Sequence, residues 1–243
     1  MSGHSKWSTI KRKKGALDAK RNKIFTKLIR EISIAAKMGG GDIISNSRLR
    51  LAVDKARVSN MPKDNIEKAI KKGIGDNTGT EYFELTYEAY APYGVALIIQ
   101  CLTDNKNRTA SEIRSVFSKS GGSLGAPGSV SYMFHKKGLI SYNLDKYPEE
   151  EIMEFALEAG AEDIYSEGSQ IEVITNSESL ETILSILSTK FEEDIAEIVL
   201  IPENKLSLNK EQMEKVLALI EKLEDFDYVQ EVVHNLEIID GIY

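Results

Sequence analysis

The fold begins with residues 16–38, which read ALDAKRNKIFTKLIREISIAAKM. Apolar side chains recur there every three or four residues, which is the period of an amphipathic helix. The expected buried positions are Leu17, Ile24, Phe25, Leu28, Ile29, Ile32, Ala35 and Ala36. At about 100° per residue, a separate face of roughly 80° carries Lys20, Lys23, Lys27 and Arg30. The pattern predicts one long helix from Ala16 to Met38, and the glycines at 39–41 end it.

Two shorter helices are predicted to follow. Ser45-Asn46-Ser47 is typical of a helix N-cap. The helix after it is expected to bury Leu49, Ala52, Val53 and Ala56. Asn60-Met61-Pro62 precedes a third helix, because proline suits the first helical turn. Each helix is too short to be stable with its apolar face in water, so we expect the three to pack as a helical domain over residues 1–79.

The helical region is strongly basic, whereas the rest of the chain is acidic. Residues 1–75 contain 19 Lys and Arg against 6 Asp and Glu, a net charge of +13. The whole chain contains 31 and 38, so residues 76–243 contain 12 and 32, a net charge of −20. Such a concentration of cations indicates contact with phosphates. The acidic part is open to three interpretations: solubility, repulsion of nucleic acid, or binding of basic proteins.

Candidate nucleic-acid contacts lie before the first helix, on the helices and in one later loop. Residues 2–14 have no helical or strand period, and Trp7 among them either stacks on a base or anchors this arm on the helices. Lys106 and Arg108 stand at the start of a predicted helix, where exposed amides favour an anion, unless Asp104 or Asn105 simply caps it. The full candidate set is Lys6, Trp7, Lys11, Arg12, Lys13, Lys14, Lys20, Arg21, Lys23, Lys27, Arg30, Arg48, Arg50, Lys55, Arg57, Lys106 and Arg108.

From residue 80 onward the periodicity indicates strands that alternate with helices. Strands are expected at 84–90, 95–101 and 130–134, and a helix at 109–119. Residues 139–201 have the order βαββαβ of a ferredoxin-like unit. A last helix at 210–223 and a strand at 229–236 cannot form a domain alone, so we expect them to complete the earlier strands.

The predicted fold is therefore α+β and multidomain. An N-terminal all-helical domain is followed by two ferredoxin-like domains, one inserted in the other. The outer domain is expected over 80–135 plus 202–243 and the inserted one over 136–201.

Catalytic and cofactor motifs are missing from the sequence. Three histidines lie far apart without ligand spacing, and the single Cys101 cannot complete a zinc set. The glycine-rich stretch Gly121–Gly128 lacks the Lys-Ser/Thr ending of a Walker loop, so we expect a helix stop and turn there, with contact to RNA or peptide left open. The sequence predicts a protein that is not an enzyme and has no cofactor or metal.

The sequence also predicts the location of the protein. No apolar run approaches the roughly 18 residues of a membrane span, and one cysteine allows no intrachain disulfide. The basic character continues to Lys72, beyond any presequence, so we expect residue 1 onward to be mature protein. We expect a cytoplasmic monomer with no membrane partner.

Several long motifs match a known family. They are residues 3–7 (GHSKW), 18–21 (DAKR), 23–32 (KIFTKLIREI), 60–66 (NMPKDNI), 102–109 (LTDNKNRT) and 117–119 (FSK) with the glycines at 121 and 122. With them the whole chain resembles the YebC/PmpR family, which includes the mitochondrial translational activator of cytochrome oxidase subunit one. The chain departs from the family at Tyr93, where glycine is common, and at Ile43-Ile44, which replaces a more polar, proline-containing loop.

The resemblance implies a three-domain, DNA-binding transcriptional regulator. Family members also resemble ribosome-associated translation factors that relieve stalling, for example at proline runs. We therefore predict a non-enzymatic regulator of gene expression that binds nucleic acid, with a ribosome- or rRNA-binding translation factor as the alternative. The charge pattern favours phosphate contact over base reading, because no helix carries a set of Asn, Gln and Arg aimed at base edges.

Overall fold

The computed structural model describes residues 18–75 and 81–238, with side chains from residue 23 onward. Three helices come first, which are α1 (Asp18–Gly39), α2 (Ser47–Val58) and α3 (Lys63–Gly75). Within the described ranges, no helix has the length and apolar content to cross a membrane.

The junction between α1 and α2 is built around Asn46. Its side-chain oxygen accepts a hydrogen bond from the N–H of Leu49 at 3.0 Å, which caps α2 as predicted. Its amide nitrogen donates to the carbonyls of Ala35 and Gly40, both at 2.8 Å. Asn46 is 8% exposed, so one buried amide satisfies the end of one helix and the start of the next.

The packing of the helices largely follows the predicted positions. All four positions predicted for α2 are buried. On α1, Ile32, Ala35 and Ala36 are buried as expected, whereas Ile24, Phe25, Leu28 and Ile29 are half-buried. Ile34 is also buried, so the second half of α1 buries a wider arc than the predicted stripe.

Helix α3 lies very close to α1 at Gly73. A Cβ atom added to Gly73 would lie 2.2 Å from the carbonyl oxygen of Ser33 and 2.9 Å from the Cβ of Ala36. The hydroxyl of Ser33 donates to the carbonyl of Ala69 at 3.0 Å, and Ala69 is itself buried. The face of α3 that contains these residues is therefore fixed against α1, and its opposite face is left to solvent.

Two compact units are distinguished by packing. The first contains Glu31–Ile74 and Lys136–Ile201, and the second contains Asp18–Arg30 with the described parts of Gly75–His135 and Pro202–Tyr243. The sequence-based boundaries at 1–79, 80–135 plus 202–243, and 136–201 stay a prediction.

The second unit contains a four-stranded sheet. Its elements are β1 (Phe83–Tyr90), β2 (Ala96–Thr103), α4 (Lys106–Ser120), β3 (Ser123–Leu124), α7 (Lys210–Glu224) and β8 (Val229–His234), and the strand order is β3-β1-β2-β8. Strands β1 and β2 pair antiparallel, with Glu88 opposite Ile98. Strand β2 lies between two neighbours and is buried at all but one position, as a short continuous apolar run predicts.

The remaining strands form the second sheet, and two helices lie between them in the sequence. They are β4 (Phe134–Asn143), α5 (Glu149–Glu158), β5 (Asp163–Glu167), β6 (Gln170–Asn176), α6 (Leu180–Leu187) and β7 (Ile195–Pro202). The element order is the predicted βαββαβ, and the strand order β5-β6-β4-β7 places the first and third strands of the motif at the centre. Its core is apolar, and Phe191 makes edge-to-face contacts with Tyr142, Tyr147 and Phe155. The predicted α+β, multidomain fold class is confirmed.

One predicted strand is wrong. Residues 130–134 were expected to be extended, but Ser131–Met133 forms a 3₁₀ turn and β4 begins only at Phe134. The N–H groups of Gly128, Val130 and Ser131 all donate to the carboxylate of Glu88, at 2.7, 2.7 and 2.8 Å. Since those amides are bonded to a side chain, they are not available to a strand ladder.

Candidate nucleic-acid interface

Eight of the predicted contact residues have no described side chain. Lys6, Trp7, Lys11, Arg12, Lys13 and Lys14 lie outside the described residues. Lys20 and Arg21 lie on α1, and their side chains are likewise outside the described set. The binding role of all the candidates stays a prediction.

The described cations on the first half of α1 contact an acidic segment of their own chain. We call residues 224–227, which read EDFD, the acidic turn. Lys23 Nζ lies 2.7 Å from Asp225 Oδ1, and Arg30 Nη2 lies 2.6 Å from Asp227 Oδ2. Lys27 Nζ donates to the carbonyl oxygen of Glu224 at 2.6 Å. The acidic turn thus occupies the positions that phosphate oxygens would take on this face.

These contacts are weak enough for a polyanion to displace. The side chains of Lys23 and Asp225 are 51% and 53% exposed, and exposed ion pairs typically contribute only about 0–1 kcal/mol. Arg30 is held more firmly, because it also donates through Nη1 to the carbonyl of Leu102 at 3.4 Å. The described cations of the α1 face are therefore already matched by groups of their own chain.

Three of the four candidate cations of α2 also form ion pairs with acidic side chains. Arg48 Nε pairs with Glu31 at 2.7 Å, and Lys55 Nζ pairs with Glu197 at 2.5 Å. Arg57 pairs with Asp54 at 3.1 Å. Burial raises the pKa of Asp54, and the charge of Arg57 acts in the opposite direction.

Arg50 is the exception on α2. It is exposed and forms no ion pair within 4 Å among the described residues. It lies one helical turn before Asp54, and its positive charge acts to lower the pKa of that carboxyl group.

At the start of α4 the capping interpretation is confirmed for Asn105. Its side-chain oxygen accepts from the N–H of Arg108 at 3.0 Å. Lys106 Nζ lies 3.9 Å from the ring centroid of Phe83, and Arg108 pairs with Asp104 at 3.1 Å. Both candidate cations at this end of the helix have partners in their own chain.

The glycine-rich stretch contains the predicted helix stop and turn, but Ser123–Leu124 within it forms strand β3. Gly121 adopts a left-handed conformation with φ +73° and ends α4. The amides further along the loop form an anion site, but the carboxylate of Glu88 fills it. Burial acts to raise the pKa of Glu88, and the three backbone donors outweigh it and lower that pKa.

Three neighbouring lysines of the basic segment, outside the predicted contact set, have no such partners among the described residues. Lys68, Lys71 and Lys72 on α3 are exposed, and none makes an ion pair or hydrogen bond to any described residue. The sequence signal is the run KAIKKG at 68–73, which has three lysines and no acid. Lysines near a helix end are normally attributed to the helix dipole, so this run is absent from the predicted contact set.

No arrangement in the described chain resembles a metal centre. No group of three His, Cys, Asp or Glu side chains could hold an ion among residues 23–75 and 81–238. Cys101 is buried, and burial raises the pKa of its thiol to about 12, so it stays protonated at neutral pH.

A basic helical region followed by two antiparallel four-stranded sheets with helices defines a multidomain α+β protein. The chain belongs to the TACO1/YebC family. The model of the TACO1/YebC N-terminal domain matches residues 5–76, and the model of the second and third domains matches residues 82–236.

Relatives match over the full length of the chain. A probable transcriptional regulatory protein of Borrelia turicatae is 89% identical over 243 residues, and one of Borrelia hermsii is 87% identical over 242, with 100% of each chain covered. The crystal structure of a conserved hypothetical protein from Aquifex aeolicus is 43% identical and covers 93% of both chains with a TM-score of 0.79.

Proposed function

We propose that this protein is a nucleic-acid-binding regulator of gene expression. The observation that carries the proposal is the separation of charge, with a net +13 over residues 1–75 and −20 over the remainder. The Borrelia relatives are named probable transcriptional regulatory proteins, which supports the same class of function. In this proposal the basic segment contacts phosphates, and the acidic remainder keeps polyanions away from every other surface.

Phosphate contacts of this kind position a protein on nucleic acid without reading its sequence. The exposed positions of α2 and α3 include no Asn or Gln, whereas base reading in a groove relies on bidentate Arg, Asn and Gln side chains. We therefore propose moderate sequence preference and strong salt dependence.

A second candidate function follows from the same observation. Phosphate contact without base reading also fits structured RNA, which proteins recognise largely by shape and backbone. In this version the protein is a translation factor that binds ribosomal RNA. Ribosomes that retain the protein at low salt and release it at higher salt would support this version over a promoter-binding one.

A binding series with the full chain tests the proposal. The probes are a promoter fragment from the source genome, a random duplex of equal length, and purified ribosomes, each measured between about 50 and 200 mM salt. We expect log affinity to fall linearly with log salt concentration. Absence of binding to every probe at the lowest salt, or binding that is insensitive to salt, would overturn the proposal.

The same proposal includes a cytoplasmic monomer that acts by binding and not by catalysis. Light scattering of the purified chain with and without a probe checks the monomer. A catalytic role would instead require a chemical change in a bound probe, detected by mass spectrometry.

A further inference from the structure

The exposed lysines of α3 form a surface that differs from every other basic region described above. Lys23, Arg30, Arg48, Lys55 and Arg57 each form an ion pair with an acid of the chain. On α3, Lys63 is paired with Glu67 at 3.8 Å. We call Lys68, Lys71 and Lys72 the α3 lysine face.

The helical period brings these three side chains together. Residues three and four apart on a helix are neighbours, with about 5–6 Å between their Cβ atoms, so Lys68 lies beside both Lys71 and Lys72. No acid follows Glu67 before α3 ends at Gly75. Asp64 and Glu67 lie one helical turn before Lys68 and Lys71, but the ion pair within 4 Å among the described residues of this helix joins Glu67 to Lys63. The three ammonium groups thus share one face without an ion pair to their own helix.

The helix dipole explains only part of this arrangement. Of the three, only Lys72 lies in the last turn, where a cation interacts with the helix C-terminus. Lys68 lies more than a turn earlier, and the dipole effect falls off within the last turn. The dipole therefore does not neutralise the whole face, which is open to the counter-charge of another molecule.

The face is also held in a fixed orientation. Ile66, Ala69 and Gly73 are buried on the other side of α3, and Gly73 lies so close to Ser33 that no side chain fits between them. The lysines are therefore presented by a rigid helix, which lowers the entropy lost when a partner binds.

We propose that the α3 lysine face contacts the sugar–phosphate backbone of the bound nucleic acid. The α1 cations contribute only after the acidic turn is displaced. The inference rests on the proposed function and specifies which surface performs it.

Two charge-matched triple variants of the full chain test it. The first is Lys68→Gln, Lys71→Gln, Lys72→Gln, and the control is Lys119→Gln, Lys210→Gln, Lys222→Gln, which removes three exposed lysines of the second unit. Circular dichroism and thermal unfolding establish that both fold. Affinity for a random duplex is then measured across the salt series.

The α3 variant is expected to lose at least about tenfold in affinity at moderate salt. Its slope of log affinity against log salt is expected to be less steep than wild type by about one per lysine, or about three in total. The control is expected to retain both the wild-type affinity and the wild-type slope. If the α3 variant keeps them too, or if the control loses as much, the inference is wrong. Failure of the wild-type chain to bind would instead refute the proposed function.

Discussion

The α1 cations and the α3 lysine face are both basic, yet only the first is matched by acids of the same chain. Lys23 and Arg30 pair with carboxylates roughly two hundred residues away in sequence, whereas Lys68, Lys71 and Lys72 pair with no described residue. A count of positive charge therefore identifies a basic segment but not its binding surface. In the proposed arrangement, the binding surface is a group of neighbouring cations of the basic segment that have no internal counter-ion.

The largest effect is expected from a substitution that disturbs the packing of α3 against α1, since this packing orients the α3 lysine face. Gly73→Val places a side chain against the backbone of Ser33, and overpacking of this kind costs about 1–3 kcal/mol. We expect a matching loss in the free energy of unfolding, measured by denaturant titration. The control is Gly75→Val, since nothing lies within 4 Å of a Cβ at that position. Equal losses in the two variants would show that Gly73 is not a packing constraint.

A second variant tests the anion site of the 128–131 loop, which the carboxylate of Glu88 occupies. Glu88→Ala leaves three backbone donors of the 128–131 loop without their acceptor, and hydrogen bonds to a charged group contribute about 1.5–3 kcal/mol. We expect a fall of about 2 kcal/mol in stability. Nucleic-acid affinity should remain at the wild-type value, since the proposed contact surface is the α3 lysine face and not this loop. A gain in affinity on removal of Glu88 would instead identify the loop as a phosphate site.

The stability contributed by Glu88 should also depend on pH. Because its pKa is lowered from the value of 4.5, the contribution is fully present above that pH and is lost as the pH falls through the lowered pKa. The difference in stability between wild type and Glu88→Gln, measured from pH 3 to 7, is expected to shrink toward the acid end. A difference that is constant across this range would contradict the proposed role of the ionised carboxylate.

A third change releases the α1 cations. With Asp225→Asn and Asp227→Asn, Lys23 and Arg30 lose their carboxylate partners. Since an exposed pair is worth at most about 1 kcal/mol, affinity for a duplex should rise by up to about fivefold per pair. The charge-matched control is Glu154→Gln with Glu158→Gln, two exposed acids of α5. An equal rise in the control would assign the effect to net charge and not to competition by the acidic turn.

The smallest effect is expected when charge is kept and side-chain type is changed. Replacing Lys68, Lys71 and Lys72 together by arginine preserves three cations on α3, and both residue types bind phosphate. Affinity and salt slope should stay within about twofold of wild type. A loss as large as that of the glutamine variant would mean that the lysines act through specific contacts and not through charge.

Much of the fold could be predicted because its signals are local. The four buried positions of α2, the Asn46 and Asn105 caps and the βαββαβ order all depend on residues within a few positions of one another. The error at 130–134 has the opposite cause. The carboxylate that holds those amides belongs to Glu88, about forty residues earlier, and no local period reveals it.

The class of fold, the family and the separation of a basic segment from an acidic one follow from the amino-acid sequence. Periodicity, capping and charge density are properties of short stretches, and they survive without knowledge of the tertiary contacts. Only the tertiary structure decided which cations are neutralised and which face solvent. The physical reason is that an ion pair acts over a few ångströms in space, so Lys23 is matched by an aspartate 202 residues away while Lys68 is matched by none of the described acids.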